Sequence, residues 1–185
     1  FRMVSWNEQI CDDNKTIPAF NPPLNHWDVS NVTSMQEMFM GASDFNQPLN
    51  DWDVSKVQKM NGMFARTSFN KSLDNWKLES IESTASMFQG NTNFKQSLIA
   101  WTNYIPQIND MHAMFSGAVA FKDNISSWKP NPQAKLCDML RSSGITIDKL
   151  QSDCQESNTC DWDNEWSKLN LDSIFGIVSD PECSK

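Results

Sequence analysis

Basic residues are in deficit. The chain carries 15 Lys and Arg against 23 Asp and Glu, a formal net charge of −8. Binding nucleic acid by phosphate neutralisation needs a basic face, and an anionic membrane surface asks for the same, so neither is an expected partner. Histidine is nearly missing, with only His26 and His112. Neither stands in a P-loop, GxSxG or HExxH frame, and no recognisable motif sets a nucleophile beside either. No catalytic, metal-ligating or cofactor-binding residue is therefore assigned, and the chain is not read as an enzyme. Apolar runs stay well short of the roughly 18 residues that a membrane-crossing helix requires. The chain opens on Phe1 and not on Met, which reads as a mature or trimmed product.

Cysteine is scarce until late. After Cys11 there is none before Cys137, and Cys154, Cys160 and Cys183 follow. The interval between Cys154 and Cys160 is not a zinc spacing. The late cluster of Cys137, Cys154, Cys160 and Cys183 instead supplies the disulfide candidates. Disulfides belong to oxidising compartments, so the expected location is extracytoplasmic: secreted, at the cell surface or in an organelle lumen. Charge is uneven too. Residues 1–144 hold 14 acids and 12 bases, whereas residues 145–185 hold 9 acids and 3 bases.

What the chain has in plenty is Phe, Met and Trp (11, 10 and 8 residues), and they recur in order. "FNPPLNHWDVSNVTSMQEMFMGASD" begins at Phe20 and "FNQPLNDWDVSKVQKMNGMFARTS" at Phe45; related copies begin at Phe69, Phe94 and Phe121. Successive starts lie 25, 24, 25 and 27 residues apart, the signature of a stacked repeat array. The first half of each copy reads F-N-x-x-L-x-x-W, and Pro22, Pro23 and Pro48 argue against a helix interior there. The second half reads V-x-x-V-x-x-M-x-x-M-F, whose steps of three and four predict a short helix. Ser30 and Ser55 stand where an N-cap would, and Gly41, Gly90 and Gly117 where a left-handed C-cap would.

A short strand and a short helix per copy predict an α/β repeat. The expected fold is a right-handed, leucine-rich-repeat-like solenoid of about five coils. Three regions follow: an N-terminal cap (1–19), the repeats (20–144), and an acidic, cysteine-containing C-terminal cap (145–185). The expected core ladder comprises Phe45, Leu49, Trp27, Trp52, Trp76, Trp101, Trp128, Met38, Met63, Met87 and Met114, because like side chains stack between neighbouring copies. A sugar-stacking face is the rival reading of the Trp row, but every Trp keeps phase with apolar neighbours, which favours burial.

The frame "FNQPLNDWDVSKVQKMNGMF" resembles the surface-lipoprotein repeat common in mycoplasmas, grouped with BspA-like leucine-rich-repeat proteins. The resemblance covers residues 20–144 and departs after Trp128, where "KPNPQ" replaces the D-V-S-x-V frame. It implies a leucine-rich-repeat-like fold in an extracytoplasmic setting, and it carries no catalytic residues.

Two cation-site patterns fail on inspection. Asp28 and Asp53 share a repeat position that could begin a calcium ladder, but Lys77, Thr102 and Lys129 continue it. The tail run "DWDNEWSKLNLD" echoes a calcium loop, yet Trp166 stands where the sharp turn needs Gly. Trp162 and Trp166, four apart, are expected to anchor the tail. The outward positions His26, Asp51, Lys56, Lys59 and Arg66, with Trp162 and Trp166, form the candidate interaction surface. The expected function is a non-enzymatic protein-interaction or scaffold module without a cofactor. It would serve either as a surface or adhesion domain or as an accessory subunit docked on the lumenal side of a larger membrane assembly. A carbohydrate- or small-ligand-binding module is the alternative.

Overall fold

The computed structural model describes residues 20–146 together with Ile174. Within that range the five copies lie one above the next as layers. Four parallel bridges mark the register, Ser34 to Lys59, Lys59 to Ser83, Ser83 to Asp110 and Asp110 to Lys135. Each bridge is isolated. Among the described residues there is no strand, no sheet and no α-helix in 20–146, and the one regular element is a 3-10 helix, Ile99–Gln107. The expected α/β solenoid of strand-plus-helix coils is therefore wrong.

The hydrogen bonds show why the helical spacing misled. An α-helix would send each N–H four residues back. Here alternate N–H groups leave the layer altogether. Those of Met35, Glu37, Phe39 and Gly41 donate to the carbonyls of Lys59, Asn61, Met63 and Ala65 in the next copy, at 2.7–3.1 Å. The intervening N–H groups of Met38, Met40 and Ala42 close turns onto Met35, Glu37 and Phe39, three residues back. Copies 2, 3 and 4 repeat the scheme.

Such a chain of turns requires a left-handed residue in each pair, and two columns supply it. One column is Glu37, Gly62, Ser86, Ala113 and Asp138; the other is Gly41, Arg66, Gly90, Gly117 and Ser142, and every φ lies between 51° and 77°. A side-chain-bearing residue held there costs about 1–2 kcal/mol, which the interlayer bonds offset. The turns return buried side chains at the same steps of three and four that a helix would, so the apolar pattern is shared by both conformations. Ser30 and Ser55 cap no helix, and the positive-φ glycines end none.

The F-N-x-x-L-x-x-W half is turned as well, with the N–H of Trp27, Trp52, Trp76, Trp101 and Trp128 bonding three residues back. Side chains make its interlayer contacts. The amide oxygens of Asn21, Asn46 and Asn70 accept the N–H of Asn46, Asn70 and Lys95 at 2.9–3.1 Å. The indole Nε1 of Trp52, Trp76 and Trp101 donates to the carbonyls of Leu24, Leu49 and Leu73.

Two aromatic columns fill the centre. Phe39, Phe64, Phe88 and Phe115 succeed one another at 5.6–5.8 Å. Phe45, Phe69, Phe94 and Phe121 do so at 5.8–6.4 Å, and each layer joins the columns by a ring pair at 3.9–4.0 Å. Leu49, Met38, Met63, Met87, Met114, Trp52, Trp76, Trp101 and Trp128 are buried with them, while Trp27 is 39 % exposed.

Copy 4 breaks the pattern. Its 27-residue spacing accommodates the 3-10 helix, and the next indole, Trp128 Nε1, is buried with no acceptor among the described residues. A buried donor left unpaired costs about 1–3 kcal/mol. Trp128→Phe is therefore expected to be about 1–3 kcal/mol less destabilising than Trp76→Phe, which breaks the bond to Leu49. Urea unfolding of the two variants checks this; equal losses would refute it.

Cys137 is disulfide-bonded. Cys154, Cys160, Cys183, Trp162 and Trp166 lie outside the described residues, as do the N-terminal region 1–19 and most of 145–185.

Candidate functional site

The Asp-Val-Ser triplets of copies 1 and 2 build a polar surface of matching turns. Asp28 Oδ1 accepts the N–H and the hydroxyl of Ser30 at 3.0 and 2.7 Å. Asp53 Oδ1 does the same with Ser55 at 3.1 and 2.7 Å. The two serine bonds, hydroxyl first, hold both carboxyls below their ordinary value of 3.8. A depressed carboxyl stays charged in mild acid, and these turns loosen only as pH falls through the lowered values.

Lys56 lies close enough to act on both carboxylates, and its Nζ bonds Asn31 Oδ1 at 2.8 Å. Lys77, the counterpart of Asp53 in copy 3, draws Asp53 further down. Between these loops opens a cleft of about 470 Å³, lined by residues 50–55, Asn75, Lys77 and Glu79. Asn50 Oδ1 accepts the Asn75 N–H at 2.9 Å and pins one loop to the other. Three carboxylates, one ammonium and two amides thus surround the edge of Trp52, which is itself 4 % exposed.

This arrangement suits polar recognition better than bond making. The Ser55 hydroxyl already donates to Asp53, and a carboxyl whose pKa is lowered is a weaker base for activating it. No group of three or more His, Cys, Asp or Glu among the described residues could hold a metal ion.

The structure scatters the expected surface residues. Asp51 lines the cleft and Lys56 stands beside it. His26 is exposed on copy 1, one repeat before Asp51. Lys59 and Arg66 are exposed on the turn-stacked half, and neither lines the cleft. His112, also on that half, is partly buried, and its N–H donates to Asp110 Oδ1. Asn50, Asn75, Lys77 and Glu79 were missed by sequence reasoning. The signal was present, since the Asp28–Asp53–Lys77 column that speaks against calcium is the one that gives the cleft both charge signs.

No helix among the described residues is long and apolar enough to cross a membrane. A family model described as Mycoplasma protein of unknown function, DUF285, matches residues 8–101 and again residues 67–165. No curated protein and no solved structure matches the chain. The two family matches overlap within the repeats and together take in most of the sequence, and the protein belongs to the DUF285 family.

Proposed function

We propose that this chain is a non-enzymatic protein-interaction module whose contact surface is the mixed-charge cleft of copies 2 and 3. One observation carries the reading: side chains of both signs are presented around a cleft on layers packed over the stacked aromatic columns. Charged groups at an exposed interface set specificity and association rate more than raw affinity. The setting is extracytoplasmic, as a surface or adhesion domain or as an accessory subunit on a membrane assembly. A place among the BspA-like surface-lipoprotein repeats, which the W-D-V-S frame resembles, belongs to the same reading.

A photo-crosslinking residue placed at Asn75 tests it, with one at the exposed Arg141 as control. In extract of the cells that make this protein, Asn75 should yield a discrete protein adduct and Arg141 none. Reversing Asp51 and Lys77 together (D51K, K77E) should abolish the adduct. Equal labelling at both positions, or an adduct indifferent to the reversal, would refute the cleft.

Carbohydrate binding survives at one place. Trp27 is the exposed indole of the series, lying parallel to Trp52 within 7° at 6.5 Å, so it offers an aromatic face of the kind sugars stack on. The four other repeat tryptophans are buried and offer none.

A further inference from the structure

Copy 2 holds the one Asn-Gly dipeptide of the chain, Asn61-Gly62. An asparagine followed by glycine is chemically labile, because the glycine nitrogen, unhindered by a side chain, can attack the asparagine amide. A bond forms from Gly62 N to Asn61 Cγ and the amide C–N bond breaks. The amide nitrogen leaves as ammonia, taking the Gly62 proton with it, and a cyclic imide remains. Water then adds to one imide carbonyl and opens the ring. Attack at one carbonyl gives aspartate. Attack at the other gives isoaspartate, in which the main chain runs through the former side chain and is one carbon longer.

In the stack this peptide is held on both sides by layers that are fully described. The Asn61 carbonyl accepts the Glu37 N–H of copy 1 at 2.7 Å, and the Gly62 N–H donates to the Ala85 carbonyl of copy 3 at 2.8 Å. The nitrogen that would attack is therefore the one that bonds the next layer. Ring closure removes its hydrogen and leaves the carbonyl of the buried Ala85 without that donor. Asn61 Oδ1 is itself buried and meets no partner among the described residues. Glycine is not obligatory at this left-handed position, since Glu37, Ser86, Ala113 and Asp138 hold it in the other copies. Copy 2 is thus spared a strained side chain and given a labile peptide instead.

We propose that Asn61-Gly62 is a deamidation site that interlayer bonding keeps closed, and that its conversion is an irreversible mark left when copies 2 and 3 part. Local openings of a fold lie at or below the free energy of global unfolding, and the rate of conversion follows the opened fraction. Isoaspartate adds a main-chain carbon at the point where the carbonyl of Asn61 and the N–H of Gly62 meet copies 1 and 3. A layer so lengthened does not close again in register.

Full-length protein kept in mildly alkaline buffer, with and without denaturing urea, tests this by peptide mapping across residues 61 and 62 and by released ammonia. Native conversion should be at least about tenfold slower than conversion in urea, equivalent to an opening free energy of about 1.4 kcal/mol. Phe64→Ala, which weakens both interfaces of copy 2, should speed native conversion by about tenfold or more. Should that variant not fold, urea below the unfolding transition must raise the wild-type rate in the same way. The isoaspartate form, separated by its added negative charge, should unfold at lower urea than Asn61→Asp, whose main chain has its ordinary length. Equal rates in native buffer and in denaturing urea, a native rate that ignores the weakened interface, or an isoaspartate form as stable as Asn61→Asp would each overturn the proposal.

Discussion

Replacing Phe64 by alanine should lower the unfolding free energy by about 3–5 kcal/mol, the range for emptying a buried aromatic site. Phe64 is fully buried and meets four rings: Phe69 at 4.0 Å, Phe88 at 5.6 Å, Phe39 at 5.8 Å and Trp76 at 6.2 Å. Its neighbours are fixed above and below by interlayer hydrogen bonds, so the cavity collapses poorly. A domain of ordinary stability has about 5–15 kcal/mol in all, so this one change removes a large share. It acts at two interfaces at once, between copies 1 and 2 and between copies 2 and 3. Urea unfolding followed by tryptophan fluorescence reads the loss as a shifted midpoint at similar slope. A cost below about 1 kcal/mol, as expected of an exposed site, would mean that the ring columns are not the core.

Asn91→Ala should cost about 2–4 kcal/mol, because each buried main-chain group left unpaired costs about 1–3 kcal/mol. Asn91 is fully buried. Its Nδ2 donates to the Phe69 carbonyl at 2.9 Å and to Thr67 Oγ1 at 3.3 Å. Its Oδ1 accepts the N–H groups of Asn93 and Phe94, both at 3.1 Å. One amide thus ties copy 2 to copy 3 and closes the turn into copy 4. Asn91→Asp separates the two roles, since a carboxylate keeps both acceptor bonds and loses both donors. That variant should be at least as unstable at neutral pH and recover partly on acidification, when the protonated carboxyl regains a donor. Indifference of either variant in thermal or urea unfolding would show that this network contributes nothing.

These two residues mark how far the sequence could be read. Phe64 belongs to a column visible in every copy, because a side chain that must meet its like recurs at the repeat interval. Asn91 has Ala42, Thr67 and Ala118 as counterparts, so no pattern announces it. The Met-x-x-Met-Phe spacing was legible as a buried stripe and illegible as a conformation. Steps of three and four specify which side chains turn inward, whereas the destination of the N–H groups separates a helix from stacked turns. For Met35 that destination is Lys59, one copy away. The glycines at 41, 90 and 117 were legible as left-handed positions, but Arg66 and Ser142 hold the same conformation without glycine, which no local preference announces.

The cleft shows the same division. Asp53 and Lys77 were legible as occupants of one column, yet their approach across two layers depends on a register set by Asn50, Asn75 and the buried Trp76, whose indole bonds the Leu49 carbonyl. The amino-acid order alone determined the repeat interval, the apolar columns and the surplus of acid, because burial and charge are properties of side chains read one at a time. Only the tertiary structure decided that the layers are turns and not helices, that Trp27 is left partly open, and that Asp51, Asp53, Lys77 and Glu79 frame one cleft. Each of those outcomes depends on hydrogen bonds between residues about 25 positions apart, whose partners exist only once the copies have stacked.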